Sequence, residues 1–584
     1  MKNNYPELFE EGSLIMTNLY DGFWLPAELR EWLITDKTQW EEKYYLNGKE
    51  VSSKTSGAVG ARWPLLDANQ WNILFQYLQD QRKVAPQDFL RQLKEAIAIL
   101  SQQMHSYSDL LAETPLHILP AYTGYAPEMI QFALNLFDLT PFETLENALK
   151  IQLPAAVQKE FISLQKPGGL EGFCKFYKKR PALRPHNLKR KPGKLPYREN
   201  VPDTIVGYGA GNVMGTAFLI ALLGQISALV KIPDHQSPKK LPVILIKNSR
   251  QEPFFGPFLF SALETINPQL VSTLAVMIWD YEDSILQEHI LSRADLVMAA
   301  AADFTIEQID QTLQKANPRA RFHKHGHKVS FTTVGKDFLS QKAQNTAADL
   351  VDLEMVTTLS ALDSIIWDQN GCLSSRIHFV ERGSEKDHSP LEYSQQLVTQ
   401  LRKLSQKLPM GAIPKSRIHN RFDQFVTQTG TGHLQVCSAY EDDFVVVLDE
   451  RPWNVQRFKS LVNSCMERTI VVRPVDSVMD VPGIYLKWIE KQNLQTMYVA
   501  IGGKDEGWSP QFAQFADKVG QCGVTSIRAI GQAVFPQLAY SWDGYLPQDL
   551  SLCFPEGYFT TVEFNDNYVN VRENFQILRK KLGA

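Results

Sequence analysis

Short apolar runs alternate with longer helix-like stretches through the middle of the chain. The runs are Ile205–Tyr208, Val243–Ile246, Leu274–Ile278 and Leu296–Ala300, and the helical stretches between them include Gly215–Leu229 and Gly256–Ile266. Strands that alternate with helices predict a parallel sheet with helices on its faces. A second alternation begins after Cys372: strand Ile377–Glu381, helix Tyr393–Lys407, strand Phe444–Leu448, helix Val455–Cys465 and strand Thr469–Arg473. Upstream, to about residue 170, apolar residues three and four apart predict mostly helix. Asp88–Leu100 and Met129–Phe137 are examples, and Tyr44–Val51 stands out as a hairpin on an Asn47-Gly48 turn. Residues 175–198 are basic and Pro-rich, the composition of a linker.

Composition narrows the class. The chain has 584 residues, 44% hydrophobic and 21% charged, enough for several domains of a soluble globular protein. A net charge of −4 gives no electrostatic reason to expect nucleic acid as partner. Six cysteines are scattered with no CxxC pair, which fits reduced thiols in the cytoplasm and neither a disulfide framework nor a zinc site. The first residues carry early acids and no apolar core, unlike a signal peptide. Val213–Val230 is the most apolar stretch, yet Gly215, Thr216, Gly224, Gln225 and Ser227 interrupt it. A membrane span needs about 20 predominantly apolar residues, so a buried helix is expected instead.

Candidate chemistry centres on Asp368-Gln369-Asn370-Gly371-Cys372-Leu373-Ser374-Ser375, which runs straight into the strand at Ile377. The spacing places a thiol at the mouth of a strand among small, flexible neighbours, the setting of a nucleophile. A buried structural thiol is the other reading of the same residues. His323, His325 and His327 alternate and would share one face of a strand, but no nearby acid or Cys completes a metal site, and none is expected. His378 falls opposite Ile377 and Phe379, on the expected polar face of its strand.

These residues resemble a known family. Asp368–Cys372 followed by Ser374-Ser375 looks like the nucleophile motif of the bacterial long-chain acyl-CoA reductases, the fatty-acid reductase subunit of bioluminescence, within the aldehyde dehydrogenase superfamily. Thr123-Gly124-Tyr125-Ala126-Pro127-Glu128-Met129, Gly209-Ala210-Gly211-Asn212-Val213, Gly326-His327-Lys328-Val329-Ser330-Phe331, Gly531-Gln532 and Trp542-Asp543-Gly544 resemble other family segments in the right order. Leu245–Phe254 resembles a Lys-x-x-Ser-x-x-Pro-Phe segment, with Lys247 and Ser249 one residue closer together. The insertion Pro233–Pro242 departs from the family and is expected as a surface loop.

The resemblance implies a two-lobed aldehyde dehydrogenase-like α/β architecture with a Rossmann-like cofactor lobe, an α/β catalytic lobe and a largely helical N-terminal region. The expected organisation is residues 1–200 as that N-terminal region with its linker, 201–340 as the dinucleotide-binding lobe, 341–550 as the catalytic lobe and 551–584 as a tail. It implies that Cys372 forms an acyl-enzyme, with Asn212 and the Cys372 N–H as oxyanion donors. It implies NADPH (NADP) as cofactor, held by Lys247, Ser249, Ala300 and Ala301. Ala replaces the family's Gly in that last segment, and Asp303 at the helix start would repel phosphate unless it serves as N-cap. It also implies an acyl-CoA or acyl-carrier thioester as substrate, an acyl-activating enzyme or acyl carrier protein as partner, and a homo-oligomer. The hydrolytic Glu of oxidising relatives has no counterpart in Gly326–Ser340, which favours a reductase, though Glu381 or another acid could reach the thiol in three dimensions. The rivals are an aldehyde dehydrogenase forming acid or acyl-CoA and a non-catalytic acyl-carrying scaffold.

Overall fold

The computed structural model describes residues 18–82, 88–105, 118–135, 140–149, 151–164, 172–178, 193–195, 197–229, 240–340, 351–502, 508–533 and 538–582. The chain start, residues 179–192 of the basic stretch, residues 233–239 of the insertion and the end of the helix expected over Met129–Phe137 lie outside them.

A four-stranded sheet comes first, formed by β1 (Asn18–Asp21), β2 (Gln39–Leu46), β3 (Lys49–Val51) and β4 (Val59–Leu65) in the order β1-β4-β2-β3. Asn47 and Gly48 both adopt positive φ, 52° and 73°, as a tight two-residue hairpin requires. Helices Ala68–Asp80 and Phe89–His105 follow. The region thus adds a sheet to the expected helices. Its strands β2 and β3 are partly exposed and polar on both sides, so they carry little of the alternation that marks a strand. Trp63, Trp71 and Leu74 share one hydrophobic core with the five-stranded parallel sheet described next, and Trp71 meets Trp279 edge-on at 5.6 Å.

Three short strands, β5 (Ile162–Ser163), β6 (Phe173–Lys178) and β7 (Arg198–Glu199), precede that sheet. The first residues of the expected linker are therefore a strand. Lys175 is buried there and ion-paired with Asp517, so its charge serves packing and not a solvated connector. The second sheet holds β8 (Thr204–Tyr208), β9 (Val243–Lys247), β10 (Leu274–Met277), β11 (Leu296–Ala300) and β12 (Arg321–His325), all parallel, in the order β10-β9-β8-β11-β12. The helix Thr216–Leu229 packs on it with Ile220, Ala221 and Leu222 fully buried. Among the described residues no helix is long and apolar enough to cross a membrane.

The third sheet is built from β13 (Val329–Val334), β14 (Ser375–Glu381), β15 (Leu434–Val436), β16 (Val445–Asp449), β17 (Thr469–Val475), β18 (Leu494–Ala500), β19 (Ser526–Ala529) and β21 (Gly557–Val562), with β6 and β5 at one edge. Its order is β15-β16-β17-β14-β13-β18-β19-β21-β6-β5, parallel from β16 to β21. Residues 551–584 are thus no tail. They supply β20 (Leu552–Cys553), β21 inside this sheet and the helix Asn567–Lys581, whose Asn567 amide donates to the Val499 and Ile501 carbonyls. Helices bury both faces of the sheet, so His378 has no polar face to occupy. It is fully buried between Ser364 Oγ (2.8 Å) and Tyr393 OH (3.0 Å), and burial lowers its pKa to about 3.

Candidate active site

The second sheet's strands end where the third sheet's strands begin. β12 stops at His325, and Gly326-His327-Lys328 leads directly into β13. The loops after β8 and β11 therefore face the residues that enter β13, β14, β17 and β18. In an open parallel sheet the crevice at the strand-order switch is the usual ligand site. Here that switch lies between β8 and β11, where the connections leave to opposite sides.

Cys372 sits in the turn just before β14, partly exposed. The turn is strained. Trp367, Asp368 and Gln369 adopt successive left-handed conformations, φ 54°, 50° and 63°. Each costs about 1–3 kcal/mol for a non-glycine residue, so surrounding contacts must enforce them. Asp368 receives Arg468 Nε at 2.8 Å and Nη2 at 2.7 Å, and its other oxygen accepts the Gly411 N–H at 3.1 Å. Gln369 accepts from Thr469 N–H (2.8 Å) and donates to the Ser375 and Thr469 carbonyls (2.9 and 3.0 Å). Arg468 is fully buried and also donates to the carbonyls of Leu408 and Pro409. Burial raises the Asp368 carboxyl above its ordinary range despite Arg468 beside it. Beyond the turn, Ser330 Oγ donates to the Cys372 carbonyl at 2.7 Å and Tyr498 OH to the Leu373 carbonyl at 2.8 Å.

Asn212 reaches this turn across 158 residues of sequence, its side-chain amide donating to the Asn370 carbonyl at 3.0 Å. Tyr125 holds the Asn212 backbone by a hydrogen bond from its OH (2.8 Å) while its ring lies 5.1 Å from that of Trp367. The 123–129, 209–213 and 368–375 segments thus converge. Gly531-Gln532 is held by Asp363, which accepts the N–H groups of Gly531 (2.6 Å) and Ala533 (2.9 Å) from the helix Leu353–Ile365 that leads into the Cys372 turn. Burial raises the Asp363 carboxyl to about 8.

On the other side, Lys247 ends β9 and Ala300 ends β11, two strands apart. Burial, and then Arg250, lower the Lys247 ammonium to about 8, and it lies 5.8 Å from the Trp279 ring. The Trp279 indole N–H is buried without a partner. Ser249 packs so close to Gly211 that a Cβ there would fall 2.3 Å from its hydroxyl. Ala301 donates its N–H to the His325 carbonyl at 3.2 Å. Asp303 is not the N-cap. Ala302 is, and the Asp303 carboxylate instead accepts the His327 N–H at 2.6 Å. A dinucleotide fits this end: Gly211, Ala300 and Ala301 are small, the Lys247 ammonium stands at it, and an indole donor lies beside that cation.

His325 belongs to a network that the motifs alone do not reveal. Only His323 and His325 lie on β12, and His327 follows its end. His323 stacks on Tyr545 at 4.1 Å and His325 on Trp542 at 3.9 Å. His325 Nδ1 bonds Asp543 at 2.9 Å, and Gln495 Nε2 donates to the other Asp543 oxygen at 2.7 Å. Burial opposes ionisation of Asp543, but Lys328, His325 and Gln495 together hold its carboxyl below the usual range. Burial, reinforced by Asp543, pushes the Cys372 thiol up to about 11, while Gln495 and the charge of Lys328 act the other way. Glu381 closes β14, about 20 Å of strand from its start, and caps the Lys336 N–H at 2.9 Å. It is no candidate base for Cys372. Sequence reading had no signal for Gln495 or Arg468, which stand outside every motif.

A parallel sheet whose switch-point crevice opens on a cysteine turn is the construction of aldehyde dehydrogenase-like oxidoreductases. Aldehyde dehydrogenase 21 from Physcomitrella patens, in complex with the product succinate, is similar over 89% of this chain and 98% of its own, with TM-score 0.52 and 11% identity. Methylmalonate-semialdehyde dehydrogenase from Oceanimonas doudoroffii is similar over 89% and 97%, with TM-score 0.51 and 12% identity. NAD-dependent benzaldehyde dehydrogenase from Corynebacterium glutamicum is similar over 89% and 98%, with TM-score 0.50 and 9% identity. No curated protein matches the chain by sequence. Residues 240–551 match the family model described as Acyl-CoA reductase (LuxC), and the chain belongs to that family. It is an oxidoreductase with the aldehyde dehydrogenase-like fold.

Proposed function

We propose that this enzyme reduces a long-chain acyl thioester to the aldehyde through a covalent intermediate on Cys372, using NADPH. The observation that supports the reading is the hydrogen bond from the Asn212 side-chain amide to the Asn370 carbonyl, two residues before Cys372. The Cys372 thiolate bonds to the acyl carbon, and the donor thiol leaves as thiolate and takes a proton from solvent. Asn212 and the Cys372 N–H stabilise the oxyanion of this step. The nicotinamide, when bound, supplies a hydride. The acyl carbon accepts it, and the resulting oxyanion expels Cys372 as thiolate and departs as aldehyde. Both Asp543 oxygens are held in place by His325 and Gln495.

Lys247, Ser249, Ala300 and Ala301 hold the cofactor. Lys247 with Arg250 beside it supplies the positive charge that favours a 2′-phosphate. The donor is coenzyme A or a carrier-protein thioester, handed over by an acyl-activating partner. All six cysteines are free, which fits a reducing cytoplasm, and the enzyme acts there as a homo-oligomer.

The test is single turnover with a radiolabelled long-chain acyl-CoA, with and without NADPH, beside Cys372→Ala. Label should stay on the wild-type protein, be absent from Cys372→Ala and appear as free aldehyde when NADPH is added. Release as fatty acid, or labelling that survives the substitution, overturns the reading.

A further inference from the structure

We propose that the cavity between β16, β17 and the helix Val455–Ser464 is an anion site that takes a phosphate group, with Arg457 and Arg473 as the side chains that receive it. The site is separate from the dinucleotide crevice and does not depend on the reaction proposed for Cys372.

Three arginines gather where β16 ends, and only one has an anion to itself. Asp449 closes β16 and is buried. Arg451 grips both of its carboxylate oxygens, with Nε at 2.8 Å and Nη2 at 2.9 Å, and that pair is neutral. Arg473 comes from β17. Its Nη1 donates to the Asp449 backbone carbonyl at 2.9 Å and its Nε to the Tyr485 hydroxyl at 3.0 Å, while Asp449 Oδ1 lies farther off at 3.4 Å. The Arg457 side chain donates, among the described residues, to the Pro452 carbonyl alone. Glu450, the next acid along the chain, is taken by Arg382 at 2.8 Å. Two guanidinium charges thus stand together without an anion of their own, an arrangement that is costly away from water unless a ligand completes it. Partial burial, and then Arg451, hold the Arg457 guanidinium below its usual range.

Both arginines line one cavity of about 10 Å³, room for a single water-sized group. One oxygen of a tetrahedral anion fills such a hollow while the others stay at its mouth. Asn454 also lines it and is the N-cap of the helix, its side chain accepting the Arg457 N–H at 2.9 Å. The positive end of the helix dipole therefore stands at the cavity. Trp453 packs on Tyr485 at 4.7 Å and on Phe458 at 5.3 Å, so much of the wall is aromatic and strengthens each ionic contact made inside it.

This chemistry selects phosphate. Two unmatched positive charges call for a dianion, and a carboxylate would neutralise only one. The guanidinium fork also matches phosphate oxygens in pairs. Asp449 and Arg473 lie toward the far ends of their strands, whereas Cys372 and the crevice stand at the strand entries. An anion bound here does not compete with the dinucleotide. The phosphate is either free orthophosphate or the end of a larger ester, and the cavity receives the group the two share.

The test is isothermal titration of the full-length protein with orthophosphate, at ionic strength fixed by chloride. Binding should saturate. Arg457→Gln should weaken it at least about tenfold with an unchanged thermal midpoint in the absence of phosphate, because the fold uses little of that guanidinium. Lys247→Met, at the crevice, should leave this Kd unchanged. A second titration with phenyl phosphate separates the two sources: tighter binding than orthophosphate, lost in Arg457→Gln, assigns an ester, and weaker binding assigns the free ion. Absence of saturable binding, or the same Kd in Arg457→Gln, overturns the proposal. Should Arg457→Gln not fold, phenylglyoxal modification of the unsubstituted protein decides. Phosphate should protect Arg457, as mapped by mass spectrometry, and lack of protection overturns the site.

Discussion

At the end of β8 the Gly209–Asn212 loop is placed by backbone and small side chains: Gly211 lies hard against Ser249, Ala301 hydrogen-bonds across to His325, and Lys247 stands at the neighbouring strand end. At the start of β14 the Cys372 turn is placed by buried polar side chains. Three left-handed residues are pinned there by Arg468, Gln369 and Asp368. Both sides border the same crevice, but they solve different problems. A phosphate-bearing ligand needs open backbone and a cation, which a parallel sheet offers wherever its order switches. A reacting sulfur needs a fixed position in a low-dielectric setting, which takes a network of buried, hydrogen-bonded side chains.

If that contrast is right, the nucleophile side should fail by unfolding and the cofactor side by weaker binding. The largest effect is expected from Arg468→Leu. It leaves Asp368 buried and uncompensated and should cost about 3–5 kcal/mol in urea unfolding. Activity should fall further than that loss alone explains, because the strained turn relaxes. Asn212→Ala tests the exposed residue that bridges the two sides. Its removal should lower kcat by about 10²–10³ with a near-native unfolding midpoint, the mark of a lost oxyanion donor. A comparable loss of stability would place Asn212 with the structural pins.

Lys247→Met should act least, raising KM for NADPH about tenfold with kcat largely kept. The same group predicts a pH effect in the unmodified enzyme. Its folded pKa is lowered to about 8 by burial, so the ammonium is charged below that pH and loses its proton above it. An anionic cofactor prefers the charged form, so NADPH affinity should weaken as pH rises through about 8, and Lys247→Met should remove that dependence. A titration by fluorescence quenching of the bound nucleotide reads it directly.

The chain's own pattern determined the α/β class, the strands β8–β11, β14, β16 and β17, and a thiol at a strand mouth. Uninterrupted apolar runs and helix-length amphipathic stretches are local signals, and they survive folding because each is a majority of neighbouring residues. The ordered motifs also pointed to the family that the comparison then established. Where single residues mattered, local signals fell short. His378 reads as polar-faced by alternation, but helices cover both sheet faces and bury it. Residues 175–178 read as linker and 557–560 as tail, yet they pair with each other in the third sheet across hundreds of residues.

Tertiary structure alone decided which polar residues gather around Asp543. Gln495, Asp543, His325 and Lys328 come from β18, a late turn, the end of β12 and the entry to β13. Their meeting depends on strand order and on two sheets abutting end to end. Sequence spacing encodes neither, because hydrogen-bond partners in a parallel sheet are set by crossovers of many residues and not by distance along the chain.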